Sequence, residues 1–293
     1  MDLTRQTSTK TLPPANYETA SWQLGIYAGF YIVTLLVIGI TSYVPGQEQL
    51  LLNLTIENSF YELTSVLVLL VLSVYCARCF FTFRTNSKIA GVLKVLWLGI
   101  AALAFLAAGE EISWGQHWLG FSSGEFFVTH NLQQETNLHN LVPGHLFAGF
   151  LNTTTYIAFI FGPTLLWFYP TLIRLFGPLS GLVPILLPSV HISLMMSFAG
   201  TLHPYFLTTS VTSTSALLLA LVCLALLIWR IELENKRPLL VHWLAVTGAM
   251  VFFMANTHVF SFYNMQAEVR ECFIILAGTF WVMEWSTRAT RFC

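Results

Sequence analysis

Apolar runs long enough to cross a bilayer recur along almost the whole 293-residue chain, and no other feature restricts its fold so strongly. A hydrocarbon core of about 30 Å is spanned by about 20 residues of helix, and inside it every backbone polar group must find its partner within the protein. Runs bounded by charge, Pro or Gly fall near 22–44, 59–81, 91–110, 145–169, 179–202, 207–229, 239–262 and 269–285. They predict an all-α fold, a polytopic transmembrane helix bundle of about eight spans. Residues 1–21, polar and carrying Pro13 and Pro14, read as a disordered cytoplasmic arm. Residues 22–287 read as one helical domain with an extracytoplasmic loop at 109–144, and 288–293 as a cytoplasmic tail. The first run is too long for the core of a signal peptide and has no small-residue cleavage site behind it, so it reads as a span. Pro184 and Pro188 each remove a backbone donor, which predicts a kink or a broken pair in the fifth run.

Only 9% of residues are charged, against roughly 25% in soluble domains, which excludes a soluble globular enzyme. A net charge of −1 supplies no basic stripe, so nucleic acid is not an expected partner. Membrane lipids are, and in one reading so is a second membrane protein.

Charge placement orients the bundle, because Lys and Arg accumulate on the cytoplasmic side. With both termini in the cytoplasm, every basic residue except Arg270 falls inside. The acids Glu48, Glu57, Glu62, Glu110, Glu111, Glu125, Glu135, Glu268 and Glu271 then lie at or near the outer face, with His117, His130, His139, His145, His203 and His258. The Cys76-x-x-Cys79 pair has metal-like spacing, but its loop offers no second pair to complete four ligands.

The segment Gly109 to Asn140, GEEISWGQHWLGFSSGEFFVTHNLQQETNLHN, holds no Lys or Arg and is rich in acids, amides and imidazoles. If the third helix continues past Glu110, then Ser113, Trp114 and His117 follow at helical spacing on the face of Glu110, while Glu111 turns away. Glu135 and His139 sit at i, i+4, a spacing that puts both on one helical face within reach of a single cation. His203 and His258, near the outer ends of the fifth and seventh runs, are further candidate ligands for a divalent transition metal. Glu57, Glu62, Glu268 and Glu271 add carboxylates at the same end, and Ser113, Trp114, Gln116 and Asn137 complete the polar set. Taken singly, capping carboxylates and packing histidines explain most of these residues. Their convergence on one side points instead to a site. Glu110, Glu111, His117 and Glu135 are the candidate acid–base residues.

The fragments GEEISWGQ and ETNLHN, with ENSFYELT at Glu57 to Thr64, resemble a family of multi-pass bacterial membrane proteins to which no activity is attached. The resemblance implies a bacterial cytoplasmic membrane. It departs from the family at His117, where a basic residue is expected. A looser similarity, through Glu110-Glu111 and Phe126-x-x-x-His130, is to the CAAX-protease and bacteriocin-processing family; here the arginine expected after the glutamates is absent, as is a later His-x-x-x-Asn.

Three function classes follow. A membrane-embedded hydrolase or transferase acting on a lipid or membrane-anchored substrate suits the one-sided polar cluster. A proton or cation transporter requires polar residues through the bilayer, and His191 is the ionisable residue expected near mid-depth. An assembly subunit of a membrane complex uses the loop to dock a partner.

Overall fold

The computed structural model describes residues 17–46, 59–84, 87–142, 162–202, 211–231, 233–255 and 263–292, with 49, 53, 54 and 146, and holds no strand among them. The long helices are α1 (Tyr17–Tyr43), α2 (Phe60–Thr82) and α3 (Lys88–Glu111). The motif loop follows, with two short helices, α4 (Gln116–Leu119) and α5 (Glu125–His130), and a 3-10 turn at His139–Leu141. Then come α6 (Tyr169–Phe176), a 3-10 stretch at Gly177–Leu182, α7 (Val183–Leu186) and α8 (Val190–Thr201). The last three are α9 (Val211–Trp229), α10 (Leu233–Ala255) and α11 (Tyr263–Phe292).

Among the described residues, four helices are long and apolar enough to cross a membrane unaided: Trp22–Thr41, Phe60–Thr82, Lys88–Glu111 and Lys236–Ala255. A fifth span results if Leu179–Leu186 and Val190–Thr201, bent by 51° at their break, count as one. The break falls at Leu187 to Ser189, beside Pro184 and Pro188. Pro188 cannot donate, and Ser189 restarts the chain as N-cap of α8 by accepting from the Ile192 amide at 3.2 Å. Most of the run expected at 145–169 lies outside the described residues. In α9 the apolar stretch Leu217–Trp229 is shorter than a span.

Every residue of α8 is buried, because apart from His191 its surface is apolar or small all round and α1, α9, α10 and α11 pack against it. One apolar core surrounds it; a second joins α2, α3, α7 and the end of α11. Hydroxyls stitch the buried faces of the helices: Tyr27 donates to the Phe273 carbonyl at 3.1 Å and Tyr61 to Thr34 at 3.0 Å. The outward sides of α1, α2 and α3 are lined by exposed Ile, Leu, Val and Phe.

Two expectations change at the end of the chain. Helix α11 runs on to Phe292, so the boundary expected at 288 falls inside it. Arg288 is buried there rather than solvated in a tail. It pairs with Glu284, one helical turn earlier, and donates to the carbonyls of Pro184 and Leu187 at the α7–α8 break. Ser189 donates to the other oxygen of Glu284 at 2.8 Å. The break exposes carbonyls that the helix no longer satisfies, and a guanidinium with five donors supplies them. The end of the bundle around this break is therefore less apolar than its hydropathy suggests.

Candidate functional site

Helix α3 does not continue through the motif. It stops at Glu111, and Ser113, Trp114 and Gly115 take successive left-handed conformations with φ of 45°, 55° and 80°. The reversal undoes the shared face expected for Glu110, Ser113, Trp114 and His117. Trp114 still reaches Glu110, donating its indole N–H to Oε1 at 3.0 Å. Its ring lies over Gly109, where a Cβ would sit 2.7 Å from the ring, and meets Phe105 edge-on. The Gly before the two glutamates is thus the floor of the Trp114 ring. Glu110 turns its second oxygen to the amide of Leu138 and ties the end of α3 to the far side of the loop.

Ser113 and His117 turn instead to Glu135. The Ser113 hydroxyl donates to Glu135 Oε2 at 2.6 Å, and His117 Nε2 meets Oε1 at 2.8 Å. Asn137 donates to both Ser113 Oγ and Glu135 Oε2, each at 2.8 Å. Ser113, Glu135 and Asn137 are buried, while the His117 side chain is 41% exposed. A buried carboxylate thus holds an imidazole that faces open space, and two neutral donors fix the carboxylate in turn. Glu135 lies outside any helix, so the i, i+4 face expected with His139 does not form.

The loop folds around two residues the sequence did not single out for this role. Asn131 accepts at Oδ1 from the amides of Gln133 and Glu135, at 2.9 Å and 3.2 Å, and donates to Asn137. An Asn followed by a turn is the signal that could have found it, since Asn bonds its own backbone two residues on. Ser123 donates to Gln116 Oε1 at 3.0 Å and to the Gln134 carbonyl at 2.6 Å, and Gln116 also accepts from the Thr136 amide at 2.7 Å. His130 bonds the Phe126 carbonyl and stacks on the Phe126 ring at 4.8 Å, so the Phe-x-x-x-His fragment is a local helix contact.

A second acidic group forms where α2, α3 and α11 meet. Glu111, the last residue of α3, has Glu62 at the start of α2 and Glu268 and Glu271 near the start of α11 as interacting like charges. Glu62 is buried, and Arg270, buried too, lies 3.6 Å from Glu271 as a counter-charge. Three elements far apart in sequence thus bring carboxylates to one end of the bundle.

Glu57, His203 and His258 fall outside the described residues, as does the side chain of His139. Among the described residues no group of three His, Cys, Asp or Glu side chains is arranged to hold a metal ion. Cys76 and Cys79 are free thiols. Comparison of the chain with protein-family models, with curated proteins and with solved structures finds no match.

Proposed function

We propose that the chain is an integral membrane protein of about eight spans, with both termini in the cytoplasm of a bacterium and the motif loop on the outer face. In this reading it belongs with the multi-pass bacterial proteins whose GEEISWGQ and ETNLHN fragments it resembles. The loop carries a hydrolase or transferase site acting on a lipid or membrane-anchored substrate. The observation that carries this reading is the His117–Glu135 contact at 2.8 Å, with one partner buried and the other open.

That arrangement suits general base catalysis. A carboxylate fixed by Ser113 and Asn137 selects one imidazole orientation and steadies the imidazolium formed when His117 takes a proton from water or from a substrate hydroxyl. Among the described residues Nδ1 of His117 has no hydrogen-bond partner and is the atom available for that proton. Glu111 and its neighbouring carboxylates form an acidic wall at the loop end of the bundle.

The test uses purified protein in lipid nanodiscs made from a bacterial total lipid extract, with products followed by mass spectrometry. Product formation should fall by about 10²-fold or more in His117→Ala, the usual contribution of a general base. Equal turnover by that variant refutes the assignment. A second reading, a proton or cation transporter, gains support from the buried Glu284–Arg288 pair and buried His191 inside the bundle. Selective cation flux in proteoliposomes, unaffected by His117→Ala, would favour it.

A further inference from the structure

The motif loop carries an apolar patch beside its polar network. Several of its polar side chains satisfy backbone amides that a loop ordinarily leaves to water: Glu110 takes Leu138, Gln116 takes Thr136, and Asn131 takes Gln133 and Glu135. The stretch that follows Gly115 is largely apolar on its exposed side. Trp118 is 59% exposed, Leu119 77% and Phe121 40%, on a stretch that follows directly from the left-handed turn after α3. A self-satisfied backbone under exposed aromatic and aliphatic side chains is what a weakly hydrated environment selects, since an unpaired amide there costs several kcal/mol.

The surface is also continuous with the exposed apolar side of a helix long and apolar enough to cross a membrane. Leu103, Phe105 and Leu106 are exposed on the last turns of α3, a helix apolar enough to cross a membrane. Phe105 contacts Trp114, which leads through Gly115 into α4 and its Trp118 and Leu119. No Lys or Arg occurs from Gly109 to Asn140 to call for an anionic surface.

We infer that Trp114, Trp118, Leu119 and Phe121 anchor the motif loop in the interface of the bilayer that α3 crosses, so that the loop lies on lipid rather than projecting into water. The occupant is the headgroup and upper acyl region, where Trp is favoured and amphipathic segments rest about 5–10 Å deep. The irregular backbone of the loop keeps it out of the hydrocarbon centre. This inference does not depend on any catalytic role for His117.

The experiment is site-directed spin labelling in phosphatidylcholine vesicles, on a background with the native cysteines replaced by alanine. Nitroxides at Leu119→Cys and Phe121→Cys should collide readily with oxygen and little with a water-soluble nickel chelate, as a label at Phe105→Cys must. Chelate accessibility at 119 and 121 equal to that of an aqueous nitroxide overturns the inference. So does protection from both reagents, which would place a protein partner or a second copy there. If the reference label at 105 shows that the cysteine-free background is misfolded, the readout moves to wild type against Trp118→Phe. The fluorescence lost in the variant should be the part most strongly quenched by lipids brominated near the headgroup. A Trp118 contribution untouched by such lipids refutes the anchor equally.

Discussion

Replacing Glu135 by alanine removes the acceptor on which the motif loop is centred. Ser113 and Asn137 are each 1% exposed, and both donate to Glu135 Oε2. Each buried donor stranded without a partner costs about 1–3 kcal/mol, so the pair costs about 2–6 kcal/mol, with a central value near 4 kcal/mol. The contact to His117, whose side chain is 41% exposed, adds little beyond this. The loss is local, because the loop is joined to the bundle mainly through Glu110 and Trp114. Hydrogen exchange of the peptide covering 131–142, in nanodiscs, is therefore the assay. At about 1.4 kcal/mol per factor of ten, protection of the Glu135, Thr136 and Leu138 amides should fall by about 10³-fold in Glu135→Ala. Glu135→Gln keeps one oxygen for Ser113 and Asn137, and its loss should be nearer tenfold, about 1.4 kcal/mol. Protection within about threefold of wild type in the alanine variant, under 1 kcal/mol, refutes the reasoning. It would mean that Glu135 decorates a loop folded by other forces.

Three further outcomes are expected. Glu284→Ala leaves the Arg288 guanidinium buried without its partner and should destabilise the bundle by about 3–5 kcal/mol, whereas Glu284→Leu with Arg288→Met should cost less; thiol reactivity of the buried Cys76 on heating reports both. Gly109→Ala places a methyl 2.7 Å from the rigid Trp114 ring and should cost about 1–3 kcal/mol by overpacking, while Gly181→Ala meets only the mobile Cδ1 of Ile89 and should cost less; exchange protection at the loop and the unfolding midpoint separate the two. Fluorescent protein fused after Cys293 should fold and fluoresce, as it does only in the cytoplasm, and a dark fusion beside an active periplasmic reporter would reverse the assigned orientation.

How much of this was legible in the sequence depends on which physical signal carried it. Hydropathy is a sum over many residues, so α1, α2 and α3 emerge close to the expected runs, with the kink near Pro184 and Pro188 where missing donors predict it. The gathering of Glu62, Glu111, Glu268 and Glu271 was legible from charge asymmetry, because acids at the ends of antiparallel spans share a side whatever their detailed packing. The loop was not legible in the same way. Ser and Trp seldom adopt positive φ, and nothing local announces that Ser113 and Trp114 do so ahead of Gly115. Helical spacing therefore pairs Glu135 with His139, four residues along the chain, whereas the folded loop brings it to Ser113 and His117. Arg288 is illegible for a related reason: a basic residue near the end of a helix ordinarily signals solvent, and only the geometry of the α7–α8 break shows what its donors serve.

That break also says something about the order in which the protein is made. The carbonyls of Pro184 and Leu187 are bonded by a side chain 104 and 101 residues further on. While the ribosome is still producing α9 and α10, those oxygens have no Arg288 to receive them. The final helix is thus more than one further strut in the bundle. Its arrival is the event that closes a bend made about a hundred residues earlier, so the α7–α8 break is completed only once α11 has been synthesised.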